Sequence, residues 1–379
     1  MDGRPTIRGV QEAQMVSQCH GAGLIDASVT VNGYRESATD PPGTAQVAIA
    51  QLWSDFGVVA VRDTGSGWAP LLRQQQACAG QTQVVGGGLV LVEQDPIDDC
   101  DVNVTADSID AVIALALAGG QGWLNMRPHT EAWLDHCAGR AADAGLRLAI
   151  RGPLAAEAAA RVGASVLDSF SWLALAGSAG PARPAALLAA WAEADMTAIR
   201  DRVLRLRDAD VAVTSELLAL YRAVFVKQGL DAGHLDRLEP ILPHTKHLAD
   251  MRRAGGFVSG RRAMAKHSGA VQPKAAQLRV AETGWQRLLE AVAGAVSDGL
   301  VLLPGSRSPQ MTLCPGYGLL EELSVIAHAG VSTERTLELA TVQAAFTLAV
   351  ELPSAGEAAV SAPSEPKGFL SLRPSFSNI

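Results

Sequence analysis

The chain has 379 residues, 48% of them hydrophobic, only 18% charged and 4% aromatic, and its formal net charge is −8. That is enough apolar sequence for one large core of the kind a barrel of roughly 250 residues or more requires. The acidic balance and the lack of any lysine or arginine block give no electrostatic case for nucleic acid, and no apolar run approaches the roughly 18 residues that span a bilayer. Arg252, Arg253, Arg261 and Arg262 read as a solvated helix face. Five cysteines, at 19, 78, 100, 137 and 314, are scattered without a CxxC pair. That pattern argues against a disulfide framework and suits a reducing compartment. The first residues lack the charged-then-apolar pattern of a signal peptide, so the expected setting is cytoplasmic, with no membrane partner. The Asn103-Val104-Thr105 triplet matches a glycosylation site that has no meaning without secretion.

In chain order, short apolar runs alternate with helical patterns, the signature of a parallel α/β sheet. The predicted strands are residues 24–30, 58–62, 83–86, 122–126, 147–151, 164–168, 209–214 and 300–304, eight in all. Amphipathic helices are expected over 107–118 and 130–144, the second placing Trp133, His136 and Cys137 on one face. A mostly helical excursion from about 231 to 286 carries His234, His244, His247 and His267. From 355 onward the chain turns Ser/Pro/Gly-rich, as loosely packed strand or partly disordered tail.

Several of these runs resemble one family. Gly23-Leu24-Ile25-Asp26-Ala27 resembles the first strand of the amidohydrolase superfamily, where Gly-Leu-Ile-Asp precedes a metal-binding His-x-His. The run from Gly57 to Gly65 resembles that family's second strand, and Gly299 to Arg307 its last, which usually ends Gly-Thr-Asp. Pro315-Gly316-Tyr317-Gly318, Ala329-Gly330-Val331-Ser332 and Ala340-Thr341 follow in order, as in the imidazolonepropionase-like and prolidase-like branch. The resemblance implies a (β/α)8 barrel of the metallo-dependent hydrolase type over residues 23–350. It also implies a reduced or missing β-sandwich domain, with a strand remnant in 1–22 and a sandwich remnant in 351–379. The Gly86-Gly87-Gly88 run lacks the spacing of a dinucleotide loop.

The resemblance also assigns the metal-ligand positions, and none holds a ligand. The two first-strand histidines match Ser28 and Thr30, the bridging lysine Asn125, and the fifth-strand histidine Arg151. The sixth-strand histidine matches Ser169 after Asp168, and the last-strand aspartate matches Arg307. Zinc takes imidazole, thiolate or carboxylate, whereas these are hydroxyls, an amide and two permanent cations. The expectation is therefore no metal and no cofactor. His244 and His247, three apart, read as a surface or rim pair, with Lys246 and Lys266 nearby.

The matched strand ends all belong to the C-terminal mouth of a barrel, where active sites sit. Arg151, Arg307 and, just past the fourth strand, Arg127 and His129 are expected there. Ser28, Thr30, Asn125, Arg127, Arg151 and Ser169 become candidate substrate contacts, and His129, Asp168 and Arg307 candidate catalytic residues. The arginines would take an anionic small molecule or be plugged by Asp26, Asp63 or Asp168 in internal ion pairs. Three functions stay open. One is a metal-independent enzyme of a biosynthetic pathway, acting by cyclisation, isomerisation, elimination or C–N hydrolysis. The others are an inactive barrel serving as a binding or partner subunit, and a conventional metallohydrolase. Homo-oligomerisation is also open.

Overall fold

A computed structural model describes residues 23–31, 43–93, 101–175, 183–225, 275–308 and 313–352. The proposed terminal remnants and the histidines at 234, 244, 247 and 267 lie outside them. All eight predicted strands are present: β1 (Leu24–Val29), β2 (Val58–Asp63), β3 (Gln83–Gly86), β6 (Trp123–Arg127), β7 (Arg147–Arg151), β8 (Val166–Asp168), β9 (Ala212–Thr214) and β10 (Leu302–Leu303). Two three-residue strands were not foreseen, β4 (Val90–Val92) and β5 (Asp101–Asn103). They are too short for a periodic signal.

Every pairing is parallel, in the orders β1-β2-β3 and β10-β9-β8-β7-β6-β4-β5. The two sheets join in a ring. Residues 83–92 belong to both, since β3 pairs with β2 and β4 with β6. At the other seam the amide of Ala27 donates to Pro304 O at 2.9 Å, Arg307 N to Ser28 O at 2.7 Å and Thr30 N to Ser308 O at 2.9 Å. Gly305 permits this approach, because a Cβ there would lie 2.6 Å from Ser28 Cβ. The architecture is that of a (β/α)8 barrel, with β5 added beside β4.

Outside the ring lie α1 (Thr44–Asp55), α2 (Trp68–Ala77), α3 (Ile109–Ala118), α4 (Glu131–Asp143), α5 (Pro153–Ala158), α6 (Pro184–Glu193), α7 (Met196–Asp208), α8 (Leu217–Phe225), α9 (Ala275–Ser297) and α10 (Tyr317–His328). Thr130 Oγ1 caps α4 by accepting from Trp133 N, and Asp195 caps α7 by accepting from Thr197 N. On α4, Trp133 and Cys137 are buried as expected, but His136 is exposed. Its ring nitrogen lies 3.2 Å from Ala106 O. The reason is angular: one step from Cys137 is about 100° of rotation, which takes His136 off the buried stripe.

Strand alternation creates two interiors. Leu124 and Met126 of β6, Leu148 and Ile150 of β7, Leu167 of β8 and Val213 of β9 pack outward beneath the helices. Their alternates, Trp123, Ala149, Val166 and Ala212, join Ile25, Ala27, Ala60 and Leu303 inside the ring. The N-terminal end of this interior is closed by α12 (Ala344–Leu348), which follows α11 (Thr333–Glu338) and a π-helical turn. Arg147 Nη1 secures α12 by donating to Thr347 O at 2.7 Å. Among the described residues no helix is long and apolar enough to cross a membrane.

Candidate anion site at the barrel mouth

One step further along each strand the inward side chains become polar. Arg62 follows Ala60 on β2, Asn125 and Arg127 follow Trp123 on β6, and Arg151 follows Ala149 on β7. Asp168 follows Val166 on β8, and Thr214 follows Ala212 on β9. The same two-residue period that fills the lower interior with alanine therefore builds a charged layer above it.

Arg62 is its centre, with no exposed side-chain surface. Its Nε donates to Ala27 O at 2.9 Å and its Nη2 to Asp168 Oδ1. Its guanidinium also lies 5.7 Å from the Trp123 ring centroid, a cation–π distance. Asp168 thus ties β2 to β8 across the ring, and its other oxygen, Oδ2, lies 3.8 Å from Arg151 Nη2.

A second network forms at the ends of β9, β10 and β1. Glu216, two residues past β9, accepts from Ser28 Oγ at 2.7 Å, Thr214 Oγ1 at 3.4 Å and Arg307 Nη1 at 3.0 Å. Burial pushes this carboxyl up, but Arg307, Arg151 and the Ser28 hydroxyl outweigh it and hold the group below its ordinary value. Its φ of 50° is left-handed. The chain can turn there because Glu322 of α10 accepts Leu217 N and Leu218 N at 2.8 and 2.7 Å, anchoring the first turn of α8. Ser169 (φ 72°) and Arg307 (φ 54°) are also left-handed, so three consecutive strands, β8 to β10, leave the ring through strained residues. Such strain persists where surrounding bonds over-determine it. Ser169 N donates to Thr214 Oγ1 at 2.8 Å, its hydroxyl lies 2.7 Å from Ser171 Oγ, and Arg307 is held by Ser28 O and Glu216.

The structure brings Ser28, Arg151, Asp168, Ser169 and Arg307 into these networks. Asn125 lies lower on β6, its amide nitrogen donating to Leu89 O at 3.3 Å. Arg127 pairs with Asp101 of β5 at 2.8 Å, and Thr30 is bonded through its backbone to Ser308 at the β1–β10 seam. His129 is half-buried two residues beyond β6, with no hydrogen bond from its ring to a described residue. Of the three acids expected in a plug, Asp168 lies against Arg151, whereas Asp26 and Asp63 are held elsewhere. Asp26 accepts from Ser306 N at 2.9 Å and Ser306 Oγ at 2.5 Å. Asp63 accepts from Val31 N and Gly65 N and from Ser66 Oγ. Neither pairs with Arg151 or Arg307. Burial pushes Asp26 up to about 7 and Asp63 up to about 6, against the pull of these hydrogen bonds. The carboxylate on Arg307 is Glu216, which sequence reasoning missed. The only signal was an acid two residues beyond a strand end, in Thr214-Ser215-Glu216.

The donors at the metal positions of the resembled family do not fit a metal. Hydroxyls, an amide and guanidiniums are not a zinc-binding set, and the carboxylates nearby, Asp168 and Glu216, are held by arginine. Among the described residues no group of three His, Cys, Asp or Glu could hold an ion.

No family model matches the chain, and no curated protein matches it by sequence. Solved structures do. Bottromycin amidohydrolase superposes with a TM-score of 0.60 at 16% identity, covering 86% of this chain and 67% of the other. Ochratoxinase of A. niger gives 0.53 at 13% identity, covering 87% and 72%. N-isopropylammelide isopropylaminohydrolase of Burkholderia multivorans gives 0.50 at 14%, covering 86% and 74%. At such identities the likeness is one of fold, the amidohydrolase-type (β/α)8 barrel that the sequence motifs imply.

Proposed function

We propose that this barrel is a metal-independent relative of the amidohydrolases that binds and transforms an anionic small molecule at its C-terminal mouth. The observation that carries the reading is the charged layer. Arg127, Arg151 and Arg307 stand partly exposed, at 18%, 15% and 22%, at or just past the ends of β6, β7 and β10 above an apolar interior. Guanidiniums hold the mouth cationic where the resembled family uses metal, and their planar forks suit carboxylate or phosphate.

Within this reading Asp168 is a positioning residue, because its two oxygens are turned to Arg62 and Arg151. His129 is the proton carrier, a half-buried imidazole just past β6 whose ring makes no hydrogen bond to a described residue. C–N hydrolysis is the reaction that the names of the structural neighbours favour. Water would add to the carbonyl carbon as His129 takes its proton. The C–N bond would then break as His129 returns that proton to the leaving nitrogen, with Arg307 facing the carbonyl oxygen. Cyclisation, isomerisation and elimination on the same anion, in a biosynthetic pathway, need the same groups.

A second reading, a catalytically inactive barrel serving as a binding or partner subunit, is favoured by the ion pairing of Asp168 and Glu216. Chelator-treated protein, incubated with a library of carboxylate- and phosphate-bearing amides and analysed by mass spectrometry, separates the readings. Turnover that survives chelation and is lost in His129→Gln supports the enzyme. Binding without turnover supports the inactive barrel, and turnover only after zinc is added would overturn metal independence.

A further inference from the structure

We propose that Arg151 is the anchor of this mouth and that it takes a single carboxylate, in preference to a phosphate or sulfate dianion. This rests on the reading of the mouth as an anion site and adds which residue binds and what charge is recognised.

The four guanidiniums of the charged layer are not equivalent. Arg62 is bonded to Asp168 and Ala27 O and covered by Trp123. Arg127 is bonded to Asp101 at 2.8 Å, and Arg307 to Glu216 at 3.0 Å. Arg151 differs. Among the described residues the nearest carboxylate oxygen to it is 3.8 Å away, beyond hydrogen-bond range, and belongs to Asp168, which Arg62 already holds. Its Nη2 is buried and has no hydrogen-bond partner among the described residues, while the side chain as a whole, unlike that of Arg62, keeps 15% of its surface exposed at the mouth. Burial and the like charge of Arg307 both weaken its hold on its proton. A buried, ionised donor without an acceptor is the costly exception in folded proteins, and here it stands in the most exposed layer of the interior.

One planar carboxylate supplies what is missing. Its two oxygens match the guanidinium fork, and one negative charge relieves the repulsion between Arg151 and Arg307. A dianion brings a second charge for which no further cation is spare. Asp168 and Glu216 already face the same space, and Asp63 lies buried behind Arg62. Arg62 also has an Nη1 without a hydrogen-bond partner, but it is fully buried and no ligand reaches it.

The test is thermal unfolding of the full chain in titrations of acetate, benzoate, sulfate and inorganic phosphate, at constant ionic strength set by chloride. Acetate and benzoate should raise the melting temperature saturably, and sulfate and phosphate should need about tenfold higher concentration. Arg151→Met should remove the carboxylate response and leave the melting temperature in chloride unchanged or higher, since it deletes an unsatisfied buried charge. Arg151→Lys should recover part of the response. The ranking of anions on wild-type protein needs no variant, so a variant that fails to fold does not shield the proposal. Phosphate or sulfate binding more tightly than the carboxylates would overturn the single-charge recognition and leave the anion reading standing. An undiminished carboxylate response in Arg151→Met would overturn the anchor. No response to any anion would overturn both.

Discussion

The two halves of the barrel interior are made by the same strands and differ by one turn of the alternation. Below, Ala27, Ala60, Ala149 and Ala212 surround Trp123 and are closed by α12. Above, Arg62, Arg151, Asp168 and Glu216 face one another. The lower half is lined by apolar side chains and held by packing. The upper half is held by ion pairs, and among the described residues the Nη2 of one of its arginines, Arg151, has no hydrogen-bond partner. The comparison teaches that stability and binding are separated by depth in this molecule.

The largest effect should come from breaking the seam between the halves. Asp168→Leu leaves Arg62, fully buried, and Arg151 without their shared carboxylate, and should cost about 3–5 kcal/mol in denaturant unfolding. Adding Arg62→Met should recover part of that loss. A single variant as stable as wild type would show that the ion pair contributes nothing to the fold. Below the seam, Ala212→Leu overpacks the dry layer and should cost about 1–3 kcal/mol while the melting response to acetate survives. Loss of that response at unchanged stability would contradict the separation by depth.

Asp26 and Asp63 give the upper half a pH signature. Their folded values, about 7 and about 6, lie above the ordinary 3.8, so the folded chain binds more protons than the unfolded one between those limits. Stability should therefore fall as pH rises from about 4 through about 7, each group contributing at most about 1.4 kcal/mol per pH unit. Glu216 acts oppositely, its contribution disappearing only as pH falls below its lowered value. Asp26→Asn should flatten the melting profile between about pH 4 and about 7, and an unchanged slope would remove Asp26 from the account. The smallest effect belongs to the lower end. Ala349, exposed and left-handed after α12, has φ 52°. Ala349→Gly should stabilise by about 1 kcal/mol with acetate binding unaltered.

The strands were legible because their apolar runs are bounded by turn residues and because Gly-Leu-Ile-Asp and the closing Gly-rich run carry the family's order. Arg151 and Arg307 were legible as mouth residues for the same reason, each standing where a motif ends. Glu216 was not. It reaches Arg307, 91 positions later, only because its backbone turns left-handed and Glu322 anchors the helix behind it. Neither local propensity nor spacing encodes that. Asp101 escaped notice likewise, since β5 is a three-residue strand whose role is to hold Arg127. Asp26 and Asp63 were read as partners for arginine because charge alone suggests it. The nearer donors, Ser306 and Ser66, lie on the turns that close the strands.

The central claim is that guanidinium has taken over the mouth from metal and receives an anion there. Anomalous diffraction tests it most directly, on crystals of the full chain grown with equimolar zinc and soaked in bromide, a monoanion. The account expects a bromide peak beside Arg151 and no zinc peak among Ser28, Asn125, Ser169 and Arg307. A zinc ion held at those strand ends, with no bromide near Arg151, would contradict it.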